Sequence, residues 1–271
     1  MNKLLIIGCG QMGAALLKSW QKLKSIEISV VDPITYKILK PKYKNKNLKF
    51  YKNIMDLTNH SKFDIVLLAV KPQISVNVLK DFKNLKFKKS CTVVSIMAGK
   101  KINLLKKYFK NSNQFVRAMP NMPALTNNGF TCLLGNKYLS KKNKNLISKL
   151  FLNVGKVLWL NNEVLIDKAT AVSGSGPGYI FNLVAAMENA TVSLGFNNNQ
   201  AREMVIQTFL GSLMLMSKTN KKSKDLIKAI ALKGGTTEAG LDKMNQYNIQ
   251  KIFKKTLLTS YKRARLLGKN I

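Results

Sequence analysis

The stretch GCGQMG at residues 8–13 decides the predicted fold of this chain. It comes directly after the apolar run KLLII at residues 3–7 and before apolar residues at helical spacing, so it predicts a strand, a tight turn and a helix. In such a turn the first glycine permits a sharp bend, the second lets the backbone approach a pyrophosphate, and the third lets the helix pack on the strand. Because a helix N-terminus also attracts phosphate groups, the stretch predicts a dinucleotide-binding unit. The alternative is a glycine turn that binds no ligand.

Strand and helix patterns alternate after this stretch. The strand-like runs lie at 26–31, 64–70, 91–97, 114–118, 129–134 and 155–160, with helical stretches between several of them, as at 74–82 and 101–109. This alternation predicts an α/β fold with a Rossmann-type, doubly wound parallel sheet. Two Lys/Asn-rich tracts, 40–49 and 141–145, are predicted to be surface loops.

Strand patterns disappear after about residue 160, and long helical patterns follow. They lie at 163–173, 178–194, 198–217, 223–232 and 238–268, the last with a break near Asn245–Asn248. Asn197 to Asn199 offer an N-cap for the third of them. The sequence therefore predicts a dinucleotide-binding domain at 1–160 and an all-α C-terminal domain at 161–271.

Asp32 ends the second predicted strand, where a carboxylate that binds the adenosine ribose is expected. It would accept a hydrogen bond from the 2′-hydroxyl of NAD and repel the 2′-phosphate of NADP, which favours NADH slightly. Lys37 and Lys40 lie near enough in the sequence to offset that repulsion. The alternative is that Asp32 only caps the turn at Pro33.

Two further glycine-rich segments precede helical patterns in the second half, GSGPG at 174–178 and GGTT at 234–237. Pro177 suits a first helical turn, and Thr236 or Thr237 suits an N-cap. Free backbone N–H groups at such helix starts attract anions such as a carboxylate. Two of them beside a dinucleotide-binding domain favour a substrate site, although each alone is typical of an ordinary capped turn.

The net charge of +34 invites the interpretation that the protein binds nucleic acid or membranes. However, the lysines are spread over nearly every polar segment, and arginine, the usual tool for reading bases, is scarce. Lys, Asn and Ile are enriched together, as an AT-rich coding sequence would produce. No apolar run is long enough to span a membrane. We therefore expect no specific nucleic-acid partner and no membrane partner.

The chemistry-bearing residues are few. Cys9, Cys91 and Cys132 are widely spaced and predict reduced core thiols in a cytoplasmic protein. His60 is the only histidine, so neither a metal site nor Ser–His–Asp catalysis is predicted. Hydride transfer tolerates this scarcity, because the cofactor carries the chemistry while the protein supplies orientation and a dry pocket.

Six motifs in order along the chain resemble the pyrroline-5-carboxylate reductase family. They are GCGQMG at 8–13, AVKPQ at 69–73, SIMAG at 95–99, RAMPNMPA at 117–124, VSGSGPGYIF at 172–181 and GGTTEAGL at 234–241. The resemblance implies reduction of 1-pyrroline-5-carboxylate to L-proline with NADPH or NADH, the last step of proline biosynthesis. It also implies a homodimer formed through the C-terminal helices, and it leaves a homodecamer open.

Site residues follow from the resemblance by motif. It implies dinucleotide contacts at Ile7, Gly8, Cys9, Gly10, Gln11, Met12, Asn53, Ala69, Val70, Lys71, Pro72, Met97, Ala98 and Gly99, in addition to Asp32. It implies that Thr237 is the catalytic residue that hydrogen-bonds the substrate ring nitrogen, and that Gly234, Gly235 and Thr236 hold the substrate carboxylate. Ser175, Gly176 and Pro177 would shape the pocket, with Glu163 nearby.

The chain departs from the family pattern in the two segments that the resemblance implies bind the substrate. The family has Ser-Pro before the Gly-Gly pair, where this chain has Leu232 and Lys233, and it has alanine at the position of Gly178. Lys233 either supplies charge in place of the missing serine or points to solvent. One alternative function is a β-hydroxyacid dehydrogenase, but that class carries a lysine after the glycine-rich segment and 177–182 has none. The other is a degenerate, non-catalytic protein that binds polyanions.

Overall fold

The computed structural model describes residues 1–43 and 47–268. The strands are β1 (Asn2–Ile7), β2 (Ile26–Val31), β3 (Leu48–Tyr51), β4 (Ile65–Leu68), β5 (Thr92–Ser95), β6 (Gln114–Met119), β7 (Gly129–Gly135) and β8 (Gly155–Trp159). The α-helices are α1 (Gln11–Trp20), α2 (Tyr36–Lys42), α3 (Ser75–Lys80), α4 (Ile102–Tyr108), α5 (Lys141–Leu152), α6 (Glu163–Ala169), α7 (Gly176–Ser193), α8 (Asn198–Thr219), α9 (Ser223–Ile230), α10 (Thr236–Gln246) and α11 (Ile249–Leu267).

The eight strands within residues 1–43 and 47–268 form one sheet in the order β3-β2-β1-β4-β5-β6-β7-β8. Neighbouring strands are parallel except β6 and β7, which are antiparallel. The strand order reverses between the neighbouring strands β1 and β4, and ligands of such sheets bind in the crevice at that switch point. The doubly wound fold is confirmed, with one antiparallel pair that the sequence did not predict.

Two predicted loops are wrong. Residues 141–145 form the first turns of α5, which Ser140 caps by accepting a hydrogen bond from the Asn143 N–H at 3.2 Å. The tract 40–49 contains the end of α2 and the start of β3, while residues 44–46 lie outside the described residues. The helix α5 places Ile147 in the core, and the strand β3 places Leu48 there. Tertiary packing therefore overrides the local polarity of the two tracts.

The core lies on both faces of the sheet. In β1, Leu4 and Ile6 belong to one cluster of buried residues, and Leu5 and Ile7 belong to the other. This alternation follows from the two-residue period of a strand. Since helices cover both faces, the central strand β4 (IVLL) is apolar and buried at every residue, as is typical of a strand in a parallel sheet.

The chain divides into two compact units. We call Met1–Pro177 together with the residues from Ser260 onward the sheet unit, and Gly178–Thr259 the helical unit. The boundary predicted near residue 160 stays a prediction.

The helical patterns predicted after residue 160 are confirmed and correspond to α6 through α11. Asn197 caps α8 by accepting from the Gln200 N–H at 3.0 Å, and the break between α10 and α11 includes Asn248 at a φ of 53°. No helix in the described ranges combines the length and hydropathy that a membrane span requires.

Candidate active site

The glycine turn between β1 and α1 is held in place by close backbone contacts. Gly8 has a φ of +90°, and a Cβ there would lie 2.8 Å from the carbonyl oxygen of Ala69. A Cβ on Gly13 would lie 2.5 Å from the carbonyl oxygen of Gly8, so only glycine lets α1 approach the turn. At Gly10 a Cβ would meet open space, and Gly10 begins α1 with no capping side chain. The first N–H groups of α1 therefore stay available for a phosphate group.

Two clefts open beside this turn in the sheet unit. The first, which we call the loop cleft, has a volume of about 550 Å³. It is lined by Gly10, Gln11, Met12, Ala69, Val70, Lys71, Ile96, Met119, Pro120, Asn121, Met122, Leu125 and Gly174. Apart from Gly174, these residues end or follow β1, β4, β5 and β6, so the loop cleft lies along the carboxyl ends of the parallel strands.

The second cleft, which we call the Asp32 cleft, has a volume of about 350 Å³. It is lined by Ile7, Gly8, Val31, Asp32, Pro33, Ile34, Lys52, Asn53, Ile54, Met55, Val70, Ile74, Val78, Asp81 and Phe82. Because Val70 lines both clefts, they adjoin on either side of the glycine turn. Since a pyrophosphate binds at such a glycine turn, the two clefts lie where the two halves of a dinucleotide would extend.

Asp32 connects the two loops that border its cleft. One carboxylate oxygen accepts a hydrogen bond from the Cys9 N–H at 2.6 Å, and the other accepts from the N–H groups of Ile34 at 2.9 Å and Thr35 at 2.7 Å. The carboxylate therefore stabilises the turn at Pro33 and ties it to the glycine loop. Asp32 therefore caps the turn at Pro33, which was the alternative to ribose binding. It also lines the cleft in which the ribose is predicted to bind.

The far wall of the loop cleft depends on the side chain of Asn121. Its amide group donates to the Ser173 carbonyl oxygen at 3.0 Å, and its oxygen accepts from the Phe130 N–H at 2.8 Å. Ser173 belongs to a π-helical turn, Thr170–Gly174, that leads directly into α7. Asn121 thus holds the start of the GSGPG segment against the carboxyl ends of the strands.

Glu163 takes part in a buried ion cluster and does not line either cleft. Its carboxylate pairs with the guanidinium of Arg117 and accepts from the Ile102 N–H at 3.1 Å. Arg117 also donates to Asp167 at 2.8 Å. Ile102 is the first residue of α4 and lies three positions after the segment 97–99. The ion cluster therefore holds the chain in place just after that segment. A role for Glu163 at the substrate stays a prediction.

The three cysteines are buried and free, as predicted. Burial, together with the negative charge of Asp32, raises the pKa of Cys9 to about 12. Burial likewise raises the pKa of Cys91 to about 12. Thiols with such pKa values stay protonated at neutral pH, so they are poor nucleophiles. Within the described part of the chain, no group of three or more residues could hold a metal ion.

The GGTT segment lies in the helical unit. The N-cap of α10 is Gly235, so the prediction that Thr236 or Thr237 caps this helix is wrong; both threonines lie inside its first turn. Gly234 has a φ of +75°, and its N–H donates to the carboxylate of Glu238 at 2.7 Å. The departures Leu232 and Lys233 are both exposed.

The structure brings most predicted cofactor residues together. Gly10, Gln11, Met12, Ala69, Val70 and Lys71 line the loop cleft, and Ile7, Gly8, Asp32 and Asn53 line the Asp32 cleft. Cys9 contributes its N–H to Asp32, and Pro72 accepts a hydrogen bond from the Ser75 hydroxyl. At Gly99 a Cβ would lie 3.0 Å from the N atom of Gly268, so the end of α11 packs against the predicted segment Met97, Ala98 and Gly99. Of the predicted substrate residues, Ser175 in the sheet unit accepts from the Ser260 hydroxyl at 3.2 Å.

Sequence reasoning missed the residues at the end of β6 and directly after it. Met119, Pro120, Asn121, Met122 and Leu125 line the loop cleft, yet no site role was predicted for them. Their signal was available, because they follow a strand next to β5 at the edge of the sheet where ligands bind.

Comparison with known proteins assigns both parts of the chain. A family model described as pyrroline-5-carboxylate reductase dimerisation matches residues 163–267, and one described as NADP oxidoreductase, coenzyme F420-dependent, matches residues 3–99. The pyrroline-5-carboxylate reductase of Aquifex aeolicus is 31% identical over 98% of this chain and 96% of its own length.

Solved structures agree. The pyrroline carboxylate reductase of Plasmodium falciparum with NADP bound is 26% identical, with a TM-score of 0.84 over 98% of each chain. The pyrroline-5-carboxylate reductase of Coxiella burnetii is 29% identical, with a TM-score of 0.87 over 97% of each chain. These likenesses span the whole chain and confirm the resemblance that the motifs indicated. The chain belongs to the pyrroline-5-carboxylate reductase family.

Proposed function

We propose that this chain reduces 1-pyrroline-5-carboxylate to L-proline with NADPH or NADH, the last step of proline biosynthesis. The observation that carries the proposal is the pair of adjoining clefts around a glycine turn, in a chain that belongs to this family. The Asp32 cleft suits an adenosine moiety, and the loop cleft suits the nicotinamide end together with a small substrate.

The chain supplies binding and orientation for the cofactor. The N–H groups at Gly10 to Met12 are assigned to the pyrophosphate, because no side chain of the described residues caps the start of α1. Asp32 and Asn53 contact the adenosine side, and Ala69 to Pro72 and Met97 to Gly99 border the path toward the nicotinamide. When bound, the reduced nicotinamide supplies the hydride.

The substrate requires little acid–base chemistry from the protein. In a protonated imine the hydride adds to the carbon of the C=N bond, and the π electron pair moves to nitrogen, which yields the ring amine. We assign the Thr237 hydroxyl to the ring nitrogen and the segment Gly234, Gly235 and Thr236 to the carboxylate. Within that segment the Gly234 N–H donates to Glu238 and the Gly235 N–H donates to the Leu232 carbonyl oxygen, so the Thr236 N–H at the start of α10 is the donor that we assign to the carboxylate. Ser175, Gly176 and Pro177 shape the pocket, and Lys233 is exposed and free to reach the carboxylate or solvent.

The assembly that we propose is a homodimer formed through the helical unit. Large apolar side chains such as Phe181, Leu213 and Met214 are exposed there, and the matching family model is described as a dimerisation domain. Whether dimers assemble into decamers is decided by measuring the mass in solution. The free, buried cysteines support a cytoplasmic location.

A rate measurement tests the proposed reaction. Purified protein mixed with 1-pyrroline-5-carboxylate should oxidise NADPH or NADH and form proline. A panel of hydroxy acids with NAD is the control for the dehydrogenase alternative. Absence of turnover with both cofactors across the pH range would contradict the proposal.

A further inference from the structure

We propose that Asp32 makes this chain select NADH over NADPH. This inference rests on the proposed cofactor site, and its kinetic form rests on the proposed function. It goes beyond the position of Asp32 in the sequence, because the hydrogen bonds and the charge balance of the Asp32 cleft both oppose a 2′-phosphate.

The hydrogen bonds of Asp32 leave the site complementary to a donor. A carboxylate offers about four acceptor positions, and three of them take the N–H groups of Cys9, Ile34 and Thr35. One acceptor position remains, which suits a ribose hydroxyl because a hydroxyl donates a hydrogen bond. A 2′-phosphate at the same place is mainly a dianion at neutral pH, and its oxygens accept hydrogen bonds. It therefore gains no hydrogen bond from the remaining acceptor position of Asp32.

The same hydrogen bonds remove the donors that a 2′-phosphate would need. The N–H groups of Ile34 and Thr35 belong to the loop after β2, which borders the adenosine side of the cleft. Both are directed at the Asp32 carboxylate, at 2.9 and 2.7 Å. A phosphate would have to displace a carboxylate that is also anchored to Cys9, or lie beside it with like charges in contact.

The charges that line the cleft also oppose the phosphate. Among its described lining residues, Lys52 is the one cation, while Asp32 and Asp81 are both acidic. This cleft therefore has an acidic excess within a chain whose net charge is +34. Neither of the two lysines that the sequence placed near the ribose lines this cleft: Lys37 is exposed, and the Lys40 ammonium donates to the Tyr36 hydroxyl at 3.3 Å.

The salt dependence of cofactor binding distinguishes the repulsion of a 2′-phosphate by Asp32 from the attraction that the net charge of the chain exerts on both cofactors. The +34 charge attracts both cofactors, and it attracts NADPH more strongly because NADPH carries an additional phosphate. Ions at physiological strength screen that attraction beyond about 8 Å, whereas the contact with Asp32 is shorter. We therefore expect the preference for NADH to increase as salt is added.

Equilibrium binding of NADH and NADPH to the purified protein tests the inference without any imine substrate. We expect NADH to bind about tenfold or more tightly than NADPH at physiological salt, and kcat/KM to show the same order. The variant Asp32→Asn should reduce the ratio of the two affinities about tenfold, mainly by improving NADPH. Asp32→Ser provides a second variant if the first fails to fold.

The matched control is Asp64→Asn. Asp64 also accepts a backbone N–H, that of Lys3 at 2.8 Å, but it precedes β4 at the opposite end of the strands. This control should leave the ratio unchanged. Tighter binding of NADPH by the wild type at physiological salt, or equal ratios in wild type, Asp32→Asn and Asp32→Ser, would overturn the inference.

Two other outcomes separate this inference from the function on which it rests. Failure of both cofactors to bind would overturn the inference together with the cofactor site. Binding of NADH with the expected ratio but without imine reduction would refute the proposed reaction and support the cofactor preference.

Discussion

The sheet unit and the helical unit bury their apolar side chains in opposite ways. In the sheet unit, strands such as β4 and β5 are buried at every residue, and helices cover both faces. In the helical unit, α8 has two buried residues in 22, and α7 has none in 18. The sheet unit thus completes its core within one chain. The apolar helices of the helical unit need another surface, which agrees with the dimerisation family model.

The largest effect is expected from placing a charge on the exposed apolar surface of the helical unit. Leu213 is 51% exposed, so Leu213→Asp would change little in an isolated chain. If a second copy covers it, the substitution buries an unpaired carboxylate, and the dimer should dissociate. Sedimentation or light scattering measures the mass in solution.

The control for this prediction is Ile38→Asp in α2 of the sheet unit. Ile38 is 68% exposed, and we expect the variant to keep the wild-type mass. A Leu213→Asp protein with the mass of the wild type would show that this face is not the interface.

The second prediction compares the ion pairs of the two units. Arg117 is buried between Glu163 and Asp167, and Arg117→Met leaves both carboxylates without their cation. This should lower the free energy of unfolding by about 3–5 kcal/mol. In the helical unit, Arg202 is exposed at 3.7 Å from Glu188, so Arg202→Met should cost less than about 1 kcal/mol. Denaturant titrations measure both, and equal losses would contradict the contrast.

The third prediction tests whether the helical unit contributes chemistry as well as contacts between subunits. Thr237→Ala should lower kcat/KM for 1-pyrroline-5-carboxylate about tenfold or more, if its hydroxyl stabilises the transition state. Thr208→Ala is the control, because the Thr208 hydroxyl only donates to the Met204 carbonyl within α8. An unchanged kcat/KM in Thr237→Ala would reject the assigned role.

The smallest expected effect concerns the wall of the loop cleft in the sheet unit. Asn121→Asp keeps the acceptor for the Phe130 N–H but loses the donor to the Ser173 carbonyl. Loss of one such hydrogen bond corresponds to about 1 kcal/mol, so KM for the imine should rise about fivefold while kcat changes less. Asn128→Asp, which alters only a local bond to Thr126, is the control. Equal KM values would show that Asn121 does not position the pocket.

Local patterns account for the parts of the fold and the site that sequence reasoning predicted. The glycine turn, the long helices and the Asn197 cap depend on residues within a few positions of one another. The missed α5 and β3 begin within the polar tracts 141–145 and 40–49. Their apolar side chains are stabilised by packing in the core of the sheet, which the local sequence does not show. Asn121 was missed because it contacts Ser173, which is 52 residues away.

The sequence by itself determined that β1 is followed by a glycine turn and α1, since the spacing of Gly8, Gly10 and Gly13 encodes the contacts of that turn. It also determined the helices of the second half, because their periodicity and caps are local. Only the tertiary structure decided that β7 runs antiparallel to β6 and that Asp32 reaches back to the Cys9 N–H. Such pairings join segments that are distant in the chain, and their free energy depends on the packing of the whole sheet rather than on any short stretch of residues.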